Sequence, residues 1–221
     1  MYDVLKAVSG VKLISGIEKE IVVVNDCSID ESESKIQSFI ADFPSEKIKY
    51  IRHEINHGKG ASVSTAITHV TGDYIIIQDA DLELQPEEIN VLLQVAIDQN
   101  ADAVFGSRFM NKGRASKQKK RHYAANIFLT RFSNMFTGFN LTDMGTCYKL
   151  VRTAILKQIS IEERRFGMDP ELTAKLGRLK NLVIKEAPIS YNYRTVNEGK
   201  KIGWKDGLRS VYCTIRYSLF S

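Results

Sequence analysis

The chain has 221 residues, 43% of them hydrophobic, which is enough to bury one sizeable core and favours a single domain with at most an appendage. Its formal charge of +5 is unevenly spread: basic residues crowd into 112–121 and 194–216 while the acids lie mostly in the first half, a pattern that points to phosphates or a membrane surface more than to nucleic acid. Three widely spaced cysteines, Cys27, Cys147 and Cys213, exclude a disulfide framework or a zinc site and fit a reducing, cytoplasmic setting, and no signal-peptide pattern or run of about 18 apolar residues occurs, so a chain that is soluble or lies on a membrane is expected.

In chain order, residues 2–9 read as the tail of a helix with no strand before it. Either the fold begins with a helix or it lacks a first strand, and the second is favoured because a βαβ unit expects a strand on each side of its helix. EIVVV (20–24), KIKYIRH (47–53), DYIIIQ (73–78) and ADAVFGS (101–107) are short apolar runs that predict strands. Helices are predicted over 29–43, over 59–70 after Gly58, and over 86–99, where Pro86 takes a first-turn position ahead of Glu87 and Glu88. This alternation predicts an α/β, doubly wound, mixed but mostly parallel sheet with helices on both faces, and ligands bound beyond the carboxyl ends of its strands.

The second half begins with a basic, glycine-containing loop that runs into an amphipathic helix, 112–136, carrying Phe128, Phe132 and Phe136 at helical spacing. Such a row is more often core than ligand contact, and a lysine run is usually solvated surface, although beside a crevice it would attract a lipid phosphate. The stretch 204–220 places Leu208, Val211, Tyr212 and Ile215 on one side, a face for a bilayer surface or for the domain itself. The expected division is therefore 1–205 as the main domain and 206–221 as an amphipathic terminal helix.

Two strand ends carry acids, NDCSID (25–30) and QDADLE (78–83), and should share one crevice. On extended backbone every second side chain points the same way, so Asp79, Asp81 and Glu83 converge and need a cation; oxygen ligands suit magnesium or manganese, which would also bridge nucleotide phosphates. Equally, these acids are placed to cap the helix that starts near Pro86. In NHGKGASVSTAI (56–67), Gly58 and Gly60 allow close backbone approach and Lys59 opens a helix whose amino end attracts anions, or the segment is a plain turn. It lacks Walker A spacing. His53 and His57 have no zinc spacing and read as loop or surface residues.

VVVNDCSID, HGKGAS, TGDYIIIQDADLELQPEEI, ADAVFGSRF, LTDMGTCYKLV, RFGMDPELTAKL, APISYNYR and EGKKIGWKDG, in that order, resemble the family 2 glycosyltransferases, most closely the polyprenyl-phosphate branch with its dolichyl-phosphate mannose and glucose synthases. The resemblance covers about residues 10–209 and implies a GT-A fold. It implies that Asp26 contacts the base or ribose of a nucleotide-sugar, that Asp79, Ala80 and Asp81 of the Asp-x-Asp hold the diphosphate and its metal with Glu83 as a further ligand, and that Lys59 is the lysine of the glycine segment. It places Arg108 at the donor or acceptor phosphate, and Asp143 and Arg194 where the family closes over its ligands, which makes Asp81, Arg108, Asp143 and Arg194 the catalytic set. The implied reaction is transfer of a hexose from a GDP- or UDP-sugar to a polyprenyl phosphate, inverting the anomeric configuration and using Mg2+ or Mn2+ on the cytoplasmic face of a membrane. The chain departs from the family's pattern in lacking the first strand with its Tyr-Asn-Glu turn, in Asn25, in Cys27 where glycine is usual, and in Gly145 where glutamate is common. A hydroxyl acceptor in a cell-surface polysaccharide and a non-catalytic sugar-nucleotide-binding module are the alternatives; homodimerisation stays open. A Rossmann dehydrogenase is disfavoured, since no G-x-G-x-x-G follows a strand.

Overall fold

A computed structural model describes residues 1–81, 83–110, 120–192 and 203–220. Arg194 and most of the basic segment 112–121 lie outside the described residues, so the roles expected of them rest on sequence. The helix at the start is α1 (Tyr2–Gly10). The four expected strands are β1 (Ile21–Asn25), β2 (Ile48–Arg52), β3 (Tyr74–Ile76) and β4 (Ala103–Ser107), separated by α2 (Ser32–Asp42), α3 (Lys59–Ile67) and α4 (Ile89–Asp98). Pro86–Glu88 form a 3-10 turn ahead of α4, consistent with a proline whose missing N–H costs nothing in a first turn.

Two further strands, β5 (Lys149–Arg152) and β6 (Ile184–Pro188), are not among those expected from the sequence, being short and without clear alternation. They change the sheet. β1 and β2 pair in parallel, and a second ladder runs in the order β3-β5-β4-β6. In it β5 opposes both β3 and β4, while β4 and β6 are parallel, so β3, β4 and β6 share one direction and β5 alone is reversed. The sheet is thus mixed but mostly parallel, as expected, and β5 is the strand that runs against the others. The two ladders are tied at one end by Glu20, whose carboxylate accepts the N–H groups of Thr71 and Gly72 at 2.5 and 2.8 Å.

Helices cover both faces because the buried strands divide their side chains between two clusters. Val104 and Leu150 pack on one face with Leu92, Leu93 and Ala96 of α4. Ala103, Phe105 and Val151 pack on the other with Met168, Leu172 and Leu176 of α7 (Met168–Arg178). Each such fully buried aliphatic side chain contributes on the order of 1.5–3 kcal/mol relative to exposure. A third cluster, Leu5, Val23, Ile36 and Phe39, seats α1 and α2 on the β1–β2 pair. A short helix, α6 (Thr153–Leu156), follows β5.

The helix of 112–136 is α5 (Lys120–Thr137), and its phenylalanines are not core. Phe128, Phe132 and Phe136 form a row with centroids 6.1 and 5.0 Å apart, and Phe128 is 60% exposed. The chain's last described helix, α8 (Trp204–Leu219), packs on α7 and α5 through Cys213, Thr214 and Tyr217, yet leaves Trp204, Leu208, Tyr212, Leu219 and Phe220 exposed. The domain is met by Cys213, Thr214 and Tyr217, and Leu208 and Tyr212 of the apolar side read from the sequence face outward. Among the described residues no helix is long and apolar enough to cross a membrane.

Candidate active site

The carboxyl ends of β3, β4 and β6 open on the same side, and the reversed strand β5 brings its amino end, Cys147–Lys149, to that side as well. Lys59, the first residue of α3, reaches Asp79 with 2.7 Å between Nζ and Oδ1, and its Nζ lies 3.9 Å from Asp169 at the start of α7. Asp169 in turn holds Lys149, whose side chain is fully buried, at 2.8 Å. Lys149 also donates to the Thr146 carbonyl and lies 5.5 Å from the centroid of the Phe105 ring. Burial disfavours the charge on Lys59, but the Asp169 and Asp79 carboxylates more than reverse this and hold its pKa above the usual lysine range. Asp169 likewise is raised by burial and lowered further by Lys149 and Lys59, so it stays ionised below the usual carboxylate range. Burial, with Asp79 beside it, pushes the Cys147 thiol well up, so it sits there as a neutral group. Lys149 and Asp169 were not singled out from sequence, although both lie inside the quoted segments LTDMGTCYKLV and RFGMDPELTAKL.

The expected convergence of Asp79, Asp81 and Glu83 is not what the structure shows. β3 ends at Ile76, so the acids lie on irregular backbone and strand alternation does not align them. Asp79 faces Lys59, Asp81 Oδ1 accepts the Glu83 N–H at 3.2 Å, and Glu83 accepts the Tyr191 hydroxyl. Ala80 is exposed between them. Among the described residues no three His, Cys, Asp or Glu side chains are gathered to hold a metal. The oxygen-only chemistry of the three acids still fits a hard divalent cation.

Arg108 follows β4 and is clamped. Its Nε and Nη2 donate to Asp143 Oδ2 and Oδ1 at 2.6 and 2.7 Å, and its backbone N–H donates to Oδ2 at 3.0 Å, so the fully buried Asp143 carboxylate fixes both main chain and side chain. Asp143 is itself set by Glu186 of β6, which accepts the N–H groups of Thr142 and Asp143. Burial raises the Glu186 pKa, with those N–H donors working against it. The Arg108 guanidinium also lies 5.1 Å from the centroid of the Tyr191 ring, whose hydroxyl reaches Glu83, so Tyr191 joins the arginine to the acidic turn. A Cβ at Gly145 would meet Arg108 Nη2 at 3.6 Å, ordinary contact, and the glycine adds no second carboxylate there.

Asp26 faces a loop of the protein. Its carboxylate accepts the N–H groups of His57 and Gly58 at 2.9 and 2.6 Å and pairs with His53 Nδ1 at 2.7 Å. His53 lies on the loop after β2, as expected, but is only 13% exposed and also contacts Thr65. Asp26 therefore shapes the turn that presents Lys59.

Cys27 adopts φ 56°, the left-handed region, which explains why glycine suits this position. Its thiol makes a 3.3 Å contact with the Glu54 carbonyl. Cys27→Gly is expected to stabilise the chain by about 0.5–1 kcal/mol, the relief of left-handed strain less the added freedom of the unfolded chain. A lower urea midpoint in that variant would show that the thiol contact outweighs the strain.

The family model for glycosyl transferase family 2 matches residues 3–160. The chain belongs to glycosyl transferase family 2. This family 2 glycosyl transferase is 34% identical over 209 residues to a dolichol-phosphate mannosyltransferase of Pyrococcus furiosus, covering 92% of the chain and 57% of that relative. It is 26% identical over 182 residues to a dolichyl-phosphate beta-glucosyltransferase of Trichomonas vaginalis, covering 78% of the chain and 54% of the relative. An undecaprenyl-phosphate mannosyltransferase of Micrococcus luteus is 26% identical over 196 residues, with coverage of 84% and 77%. The chain spans little more than half the length of the first two. Its GT-A fold is matched by glucosyl-3-phosphoglycerate synthase from Mycobacterium tuberculosis, solved with Mn2+, UDP and phosphoglyceric acid, at a TM-score of 0.67 and 15% identity over 98% of this chain and 72% of that one.

Proposed function

We propose that this family 2 glycosyl transferase moves a hexose from a nucleotide-sugar to a polyprenyl phosphate in one inverting displacement, at the cytoplasmic face of a membrane. The observation that carries this reading is Arg108. Its planar guanidinium, held along the Nε–Nη2 edge by a fully buried carboxylate, is a preorganised cation at the strand ends, the arrangement that orients a phosphate. An acceptor phosphate is already an anionic nucleophile, so no general base is required. Lys59 supplies a permanent charge on the donor side, and the names of three relatives, all transferases to dolichyl or undecaprenyl phosphate, support a lipid acceptor. Asp79, Asp81 and Glu83 would hold Mg2+ or Mn2+, which when bound neutralises charge developing on the departing diphosphate. The exposed Trp204, Leu208 and Tyr212 of α8 and Phe128 of α5 support contact with a lipid surface, with 206–221 acting as the membrane-facing helix and Arg194 and the basic 112–121 segment attracting the lipid phosphate.

The chain should be incubated with vesicles containing undecaprenyl phosphate, Mn2+ and either labelled GDP-mannose or UDP-glucose. Label in the lipid extract is the expected result; label released only as free sugar sinks the reading. The second reading, a module that binds sugar-nucleotide without turnover, is favoured by the Lys59–Asp79 pair, which occupies one of the acids with a cation of the chain's own. It predicts saturable nucleotide binding and no product with any acceptor. Asp81→Ala is expected to abolish Mn2+-dependent UDP or GDP binding in calorimetry while lowering stability by about 1 kcal/mol, since the half-buried carboxylate gives up its hydrogen bond from the Glu83 N–H. Unchanged affinity would remove Asp81 from the donor site.

A further inference from the structure

The glycine turn that carries Lys59 is pressed against a loop that α8 holds from behind. A Cβ at Gly60 would lie 1.7 Å from the Glu163 carbonyl oxygen and one at Gly58 2.2 Å from that of Arg164, so both positions admit only glycine at this approach. The Gly60 N–H donates to the Arg164 carbonyl at 2.8 Å, which fixes the turn to the loop. The same loop is held elsewhere by side chains. The fully buried Glu171 accepts the N–H groups of Glu162 and Glu163, both at 2.8 Å. The Glu163 carboxylate, 7% exposed, accepts Arg209 Nη2 at 2.5 Å and Nε at 3.1 Å, and the Tyr217 hydroxyl at 3.2 Å. Arg209 and Tyr217 belong to α8. Two bonds therefore separate α8 from the main chain that aims Lys59 at Asp79.

We propose that Arg209 and Glu163 are positioning residues for the donor site: through them the seat of α8 fixes the 163–164 carbonyls, and those carbonyls fix the turn at Gly58–Gly60 that presents Lys59 to the donor diphosphate. The role of Lys59 here rests on the function proposed above. Arg209 suits a positioning role more than a stabilising one. Its side chain is 53% exposed, so its ion pair contributes little to global stability, whereas its forked contact sets the angle of a buried carboxylate. Without it Glu163 retains Tyr217, and the loop keeps Glu171, so the fold stands while the loop gains freedom.

Three variants of this chain test this: Arg209→Ala, Arg209→Lys and Glu163→Gln. Mn2+ with UDP and Mn2+ with GDP are titrated into each by calorimetry, donor KM and kcat are measured with undecaprenyl phosphate, and amide hydrogen exchange is followed at residues 57–62 without nucleotide. Arg209→Ala is expected to weaken whichever nucleotide binds by roughly 2- to 30-fold, the range of couplings carried through packed contacts, and to raise donor KM alike with acceptor KM unchanged. Exchange at 57–62 should quicken, and Arg209→Lys should recover part of each effect. Native donor affinity and native exchange at 57–62 in Arg209→Ala and Glu163→Gln overturn the proposal, even where the melting temperature falls. Should the unaltered chain bind neither nucleotide, the donor reading fails; exchange at 57–62 then decides by itself whether α8 governs the turn.

Discussion

Arg108→Ala is expected to cut turnover with undecaprenyl phosphate by about 10²–10³-fold, the usual cost of removing one preorganised donor from a developing or reacting anion, while Mn2+-dependent nucleotide binding persists. The alanine also leaves the fully buried Asp143 with the Arg108 main-chain N–H and without its fork, so part of the loss would come from local disorder. Arg108→Lys separates the two causes. Lysine keeps the charge as a point and loses the planar two-point grip, so the fold should hold while turnover falls at least about tenfold. Full turnover in Arg108→Lys would mean that the guanidinium serves only to pair Asp143, and a hydroxyl acceptor handled elsewhere in the crevice would become the better reading.

Asp169→Ala is expected to have the largest effect on stability. It strips the fully buried Lys149 of its only ion pair among the described residues, and removing one partner of a buried pair costs about 3–5 kcal/mol because the other charge stays in low dielectric. For a chain of 221 residues that corresponds to a drop in melting temperature of roughly 6–20 °C. Removing both charges, as Asp169→Leu with Lys149→Met, should recover most of it, since the cost lies in the orphaned ammonium. The pH dependence has a defined sign. The folded pKa of Asp169 lies below its unfolded value, so its contribution is complete above the ordinary carboxylate range, about pH 4, and is lost as pH falls through the folded value. The gap between the native chain and Asp169→Ala should therefore be constant from about pH 6 to 8 and narrow only in acid. A gap that instead closes near neutrality would show that Asp169 is not the group holding Lys149.

The strand ends and the residues upon them were legible because the chain marks them locally. Three isoleucines followed by Asp79 and Asp81, glycines on either side of Lys59, and Arg108 directly after an all-buried strand are contiguous signals, and each falls where the crevice opens. What those acids do with one another was not legible. Asp79 is paired by a lysine 20 residues upstream in the chain, Glu83 by a tyrosine 108 residues downstream, and Asp26 by the turn 31 and 32 residues on. The assumed alternation also failed at once, since the strand stops at Ile76 and irregular backbone imposes no period on its side chains.

By itself, then, the sequence determined the alternating α/β layers, because periodicity and β-branched runs are properties of a few neighbouring residues, and it determined which residues stand at the strand ends. Only the tertiary structure decided the direction of β5. A four-residue strand carries no mark of its orientation; that is settled by the ladders it makes with β3 on one side and β4 on the other. Reversal carries the amino end of β5 to the crevice and with it Lys149, which would otherwise lie at the opposite edge. A lysine so deep needs a counter-charge, and Asp169 at the head of α7 provides it, which in turn sets Lys59 between two carboxylates. That buried chain of charges depends on segments far apart in sequence meeting at one edge of a sheet, and no local pattern encodes such a meeting.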